Sequence, residues 1–137
     1  MIRVMALDAG AIRSWFDDYL ETFAACVRGE QEMATLLAHY GVPLIITSDD
    51  GVIEVMTDDE AAGIIQSLVD GLRALGFHHT EVLHPEVSVL NAMSAIYRAT
   101  MSRRNQHGDE IGCPTITYLV TDDVGGIRIK VLATRGQ

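Results

Sequence analysis

The sequence predicts an α+β domain in the order α-α-β-β-α-β-β-β-β, with helices gathered on one face of an antiparallel sheet. Three features carry this. Two long stretches repeat apolar residues at three- and four-residue steps, the mark of amphipathic helices. Almost everything beyond residue 76 alternates apolar with polar, a period that belongs to strands. Between the helical stretches, two short apolar runs flank Asp50-Gly51, a dipeptide that tolerates positive φ and closes hairpins.

Each element has its own local reason. Asp8 is placed to cap the first helix, and Ile12, Trp15, Phe16, Tyr19, Leu20, Phe23 and Val27 fall on one face of it. Gly29 ends that helix. A shorter helical piece follows from about Gln31 to Tyr40, with Met33, Leu36 and Leu37 inward; Gly41 stops it and Pro43 starts an extended run. Leu44–Ile46 and Val52–Val55 form the hairpin. Thr57 with Glu60 reads as a capping box, and Asp58 and Asp59 meet the positive end of the helix dipole. Ala61, Ile64, Ile65, Leu68, Val69, Leu72 and Leu75 make the buried stripe, and Gly76 is the left-handed stop. Residues 77–90, 93–103, 113–121 and 127–133 read as strands. On the first of these, Leu83, Val87 and Val89 share a face. On the second, Met93, Ala95, Tyr97, Ala99 and Met101 oppose Ser94, Arg98, Thr100 and Ser102.

A chain of 137 residues with 48% hydrophobic content makes one domain, 1–137, with a core of its own. A net charge of −9 argues against nucleic acid as a partner, because phosphate binding wants clustered Lys and Arg. Cys26 and Cys113 are too few for a disulfide framework and read as small buried thiols. The N-terminal segment lacks the pattern of a secretory leader, and no apolar run reaches membrane-spanning length. A cytoplasmic protein with no membrane partner is the expectation.

Six carboxylates crowd residues 47–61, and all but Glu54, which can sit on the solvent face of its strand, have a local structural reason. With Gly51 at the sixth place of a calcium loop, Ile46, Ser48 and Thr57 fall where ligands are needed, so that reading fails on residue type. Asp49 and Asp50 sit at a hairpin tip, open to water, where nothing raises a carboxyl pKa for acid catalysis. His78, His79 and His84 do not gather for zinc: 78 and 84 share a strand face but are too far apart along it, and 79 points the other way. No metal and no cofactor is expected. His79 shares its face with Leu83 and Val87 and is placed to enter the interior. Tyr19, Tyr40, Tyr97 and Tyr118 are candidates to line a pocket, since buried tyrosines need hydroxyl partners. Met56, Met93 and Met101 offer such a pocket adaptable walls. Nucleophile-elbow and glycine-rich nucleotide motifs are missing from the chain.

The aromatic helix "IRSWFDDYLETF", the segment "HYGVPLIITSDDGVIEVMTDDEA", "LRALGF" and the closing "TYLVTDDVGGIRIKVL" together resemble the NTF2-like superfamily, in its SnoaL-like or ketosteroid-isomerase-like branch. The resemblance spans nearly the whole chain. It implies a cystatin-like cone, a curved sheet wrapped round helices with a pocket at the open end, and a homodimer through the outer sheet face. Isomerase-type relatives place a tyrosine on the first helix, which Tyr19 matches. Their carboxylate base has no counterpart in Leu44-Ile45-Ile46, nor their second acid in Thr115-Ile116-Thr117-Tyr118. The arginine–aspartate pattern of epoxide-hydrolase types breaks at Arg98, where Thr100 follows. Dehydratase types pair histidine with tyrosine, which points to His79 with Tyr19 or Tyr97.

Three functions therefore compete, because one scaffold hosts many. The leading one is a binder of a small apolar molecule, without a recognisable acid–base set, in a pocket of Trp15, Tyr19, Tyr40, Ile65, Tyr97, Met101 and Tyr118. The second is an isomerase, dehydratase or cyclase using a pair such as Tyr19 and His79. The third is an interaction domain whose cone is packed shut.

Overall fold

The computed structural model describes residues 7–136. Residues 1–6, which carry part of the expectation of no leader, and residue 137 lie outside the described residues.

Helix α1 spans Ala9–Val27, and the Asp8 carboxylate accepts the Ala11 N–H at 2.8 Å. Its face of Ile12, Phe16, Tyr19, Phe23 and Val27 is buried. Helix α2, Met33–Leu37, is little more than one turn, shorter than the spacing suggests, and buries only Leu36. Strand β1 begins at Tyr40 rather than beyond Pro43. The cause is long-range: the last strand of the chain recruits this stretch, starting with Ile129 N–H donating to His39 C=O at 2.8 Å. A Cβ on Gly41 would stand 3.1 Å from side-chain atoms of Arg128 and Lys130, so a bare backbone lets the two strands approach.

β1 runs to Ser48 and pairs with β2, Gly51–Val55, with Ser48 opposite Gly51. The turn residues are therefore Asp49 and Asp50, one step earlier than the Asp-Gly pattern implies. Helix α3, Asp58–Ala74, is capped as expected by Thr57, whose hydroxyl accepts the Glu60 N–H at 3.1 Å. The Glu60 carboxylate reaches back to the Met56 N–H at 3.3 Å, one residue beyond an ordinary capping box. Ala61, Ile65, Val69 and Leu72 are buried, but Leu75 is 63% exposed. The helix has ended there, and Gly76 at φ +81° swings Phe77 into the place Leu75 would take.

Strands β3 (Phe77–Asn91), β4 (Ser94–Asn105), β5 (Glu110–Gly112), β6 (Thr115–Asp123) and β7 (Gly126–Arg135) complete a seven-stranded sheet. The spatial order is β2-β1-β7-β6-β4-β3, with the short β5 alongside β4. Cys113 lies between β5 and β6 instead of opening a strand. Every pair is antiparallel except β1 and β7, which run parallel and make the sheet mixed. Hairpins are local and show in the sequence; the meeting of the first strand with the last has no local signal. On edge strand β3 the register slips between Leu83 and Glu86, where His84 takes φ +53°. That slip splits the expected face: Leu83, opposite Thr100, turns outward and is exposed, while Val87 and Val89, opposite Tyr97 and Ala95, keep the inner side, with Val89 still 40% exposed near the end of the strand.

The helices pack against the inner sheet face. On β4 that face carries Ala95, Tyr97, Ala99 and Met101, all buried, and the alternation continues to Arg103. No helix among the described residues is long and apolar enough to cross a membrane.

Candidate functional site

The interior between α1, α3 and the sheet has a filled end and a hollow end. At the filled end Phe16 stacks on Tyr97 with centroids 4.1 Å apart and leans on Tyr118 at 4.9 Å. About one turn further along α1 lies a cavity of about 230 Å³. Tyr19, Leu20 and Phe23 of α1 form one wall, and Ile64, Ile65 and Leu68 of α3 another. Ile46, Met101, Ile116, Tyr118 and Leu132 form the sheet floor. The polar lining is sparse: Thr80, Thr134, Arg103 and the two tyrosines. A mostly apolar hollow with a few convergent polar groups is the usual form of a small-molecule site.

The tyrosines are tied together. The Tyr19 and Tyr40 hydroxyls hydrogen-bond to each other in the buried interior, and Tyr118 interacts with the Tyr19 hydroxyl. Trp15 lies nearly parallel to the Tyr19 ring at 5.9 Å, and His39 packs against that ring at 5.5 Å. Burial raises the pKa of Tyr19 and Tyr118 well above the ordinary phenol value; Tyr40 further opposes ionisation of Tyr19, and Tyr19 that of Tyr118. Burial likewise raises Tyr40 and Tyr97. All four are neutral phenols at physiological pH, able to donate hydrogen bonds but not to act as bases.

Arg103 is the feature that the sequence reading passed over. It stands at the end of β4, opposite Thr80 on β3 and Gly112 on β5, on the inner side of the sheet. Its guanidinium forms no hydrogen bond or ion pair with any described residue. Burial pulls its pKa down, and the nearby Tyr118 and Tyr19 oxygens pull it back up; an arginine nevertheless stays charged. Next to it, Arg104 faces outward and is fully engaged. It donates to Ser102 Oγ at 2.8 Å and to the Gly108 carbonyl at 3.0 Å, and pairs with Glu81 at 3.1 Å. The signal for Arg103 was present: carrying the two-residue alternation one step past Met101 places it on the inner face.

Of the residues singled out from sequence, Tyr19, Ile65, Met101 and Tyr118 line the cavity. Trp15, Tyr40 and Tyr97 do not. Trp15 and Tyr40 support Tyr19 from behind, and Tyr97 belongs to the filled end. His79 lies outside the cavity, in a separate shallow groove with Asp17, Glu21 and Val82, with its Nδ1 3.0 Å from that of His78. The Tyr–His pair is not assembled with either Tyr19 or Tyr97. The bulge between Phe77 and His79 turns the ring away, and Thr80 takes the inner place instead. Met56 and Met93 are exposed and do not line the cavity. Among the described residues, no three His, Cys, Asp or Glu side chains gather to hold a metal. Among the described residues, no carboxylate lines the cavity.

No curated protein matches the chain. Solved structures share its fold at low identity. A protein of unknown function with a cystatin-like fold from Nostoc punctiforme superposes with a TM-score of 0.71 at 12% identity, covering 97% of this chain and 96% of that one. An NTF2-like protein with a cystatin-like fold from Novosphingobium aromaticivorans gives 0.66 at 15%, covering 91% and 79%. The yeast UBP3-associated protein BRE5 gives 0.67 at 11%, covering 92% and 93%. Likeness at these identities speaks for the fold alone. Residues 8–137 match the family described as "NTF2-like protein (DUF6841)", nearly the entire chain, and the protein belongs to that family.

Proposed function

We propose that the protein binds a small, mostly apolar molecule in the cavity between α1, α3 and the sheet. The carrying observation is the cavity of about 230 Å³, walled by aliphatic and aromatic side chains in an otherwise close-packed interior. Such a void forfeits packing energy unless something fills it. The volume falls below the roughly 300–1,000 Å³ of pockets that enclose drug-sized ligands, so the occupant is a small metabolite rather than a steroid or a large polyketide. Binding is favoured over proton transfer because the ionisable lining consists of an arginine and two phenols held neutral by burial. Neither kind of group is a base near neutral pH. Ligand-detected NMR with apolar fragments tests this, with Leu68→Phe as the blocking variant. Binding to the native protein and its loss in a folded Leu68→Phe supports the reading; fragments that bind both proteins equally defeat it.

The partner of the outer sheet face is, in the same reading, a second copy of the chain. Ile96, Leu119, Val131 and Ile45 stand opposite one another across β4, β6, β7 and β1, an apolar row with Thr117 and Ala133 beside it. A two-fold interface needs one self-complementary patch of this kind. Light scattering should give twice the chain mass for the native protein and the single mass for Leu119→Glu. A native protein at the single mass removes the dimer.

A further inference from the structure

We infer that the cavity selects a small monocarboxylate, with its apolar body between the helices and its carboxylate on Arg103. The inference rests on the cavity being a ligand site and adds the chemical class of what enters it. Arg103 is a cation on the inner face of the sheet, in the cavity wall, without a hydrogen bond or ion pair to any described residue. Taking a charge out of water is costly unless a counter-charge meets it, and among the described residues no carboxylate lines the cavity to do so. A planar guanidinium fork matches a carboxylate in both charge and geometry.

The remaining lining narrows the choice. A cationic ligand finds no counter-charge there. A doubly charged phosphate would bring one charge more than Arg103 balances, since the neighbouring Tyr19 and Tyr118 are neutral donors. Size sets the body: about 230 Å³ is half as large again as the ~150 Å³ engineered cavity that holds benzene, so one phenyl ring with a short acid chain fits.

The test compares 3-phenylpropionate with 3-phenylpropionamide, which match in size and shape and differ in charge, and includes phenyl phosphate as a third arm. Titration calorimetry should show the acid binding the native protein at least ~10-fold tighter than the amide, the scale of a charge-assisted bond. Arg103→Gln should bring acid and amide within about twofold, with amide affinity unchanged. Equal affinity of acid and amide for the native protein overturns the role of Arg103 and leaves the cavity reading intact. Phosphate binding tighter than the acid overturns the choice of a monocarboxylate. If neither phenylpropionyl compound binds at millimolar concentration, both readings fall. The acid–amide ratio on the native protein decides the matter even where Arg103→Gln does not fold.

Discussion

Phe16 and Phe23 lie two turns apart on the same face of α1, above the same sheet, yet the interior is filled beneath the first and hollow beside the second. Under Phe16, β4 presents Tyr97 between Ala95 and Ala99, and the small neighbours let the two rings stack. Further along β4 the inward positions are Met101 and then Arg103. An apolar side chain at 103 would let the helices close onto the sheet here, as α1 does over Tyr97 at the other end. A guanidinium resists that collapse because it needs water or a counter-ion. The same amphipathic pattern thus makes packed core at one end and a hollow at the other, and a single residue on the floor marks the change.

The largest effect expected is at the filled end. Phe16→Ala removes a fully buried ring stacked on Tyr97 and should cost about 3–5 kcal/mol in denaturant unfolding. Leu68→Ala, on the cavity wall, trims a partly buried side chain beside existing empty space and should cost about 1 kcal/mol. Equal costs for the two would mean that the hollow end is packed as tightly in solution as the filled one.

Alkaline pH probes the tyrosines that span both ends. The pKa values of Tyr19, Tyr40, Tyr97 and Tyr118 are all raised in the folded protein, first by burial. Folding therefore favours their protonated forms. Their contribution to stability is fully present below the unfolded phenol pKa of about 10 and is lost as pH rises towards the folded values. Thermal midpoints should hold steady to about pH 9 and fall beyond pH 10. Tyrosinate absorbance from these residues should appear together with loss of helical circular dichroism. Tyrosinate signal from all four in a still-folded protein would contradict the sealed arrangement.

Much of this architecture is legible in residue spacing, because helices and hairpins are local. The Asp8 and Thr57 caps, the Gly29 and Gly76 stops and the stripe Ile12–Phe16–Tyr19–Phe23 all rest on interactions within a few residues. Long-range events are less legible. The parallel pairing of β1 with β7 lengthens β1, and the slip at His84 turns Leu83 outward. The site was half legible for the same reason. Tyr19, Ile65, Met101 and Tyr118 follow from their element faces. Tyr40 and Tyr97 share inward faces too, but which inward residues border empty space depends on how neighbouring helices close over them. Arg103 is less legible because a charged residue at a strand end ordinarily faces solvent, although the alternation places it inward.

The smallest stability effects carry the sharpest contrast, because Arg103 and Arg104 differ in sign. Arg104→Gln breaks the bonds to Ser102, Gly108 and Glu81. Ser102 is completely buried and keeps only its bond to Glu110 at 2.6 Å. Because Glu81 and Glu110 are largely exposed, the loss should be modest, about 1 kcal/mol in urea unfolding. Arg103→Gln breaks no bond to a described residue and relieves a partly desolvated charge. The ligand-free variant should match the native protein or exceed it by a few tenths of a kcal/mol, about what removing an uncompensated charge from a water-accessible cavity returns. If Arg103→Gln destabilises the free protein as much as Arg104→Gln, the guanidinium has a structural partner in solution. The hollow end would then be held open by the fold itself and not by the need for a bound anion.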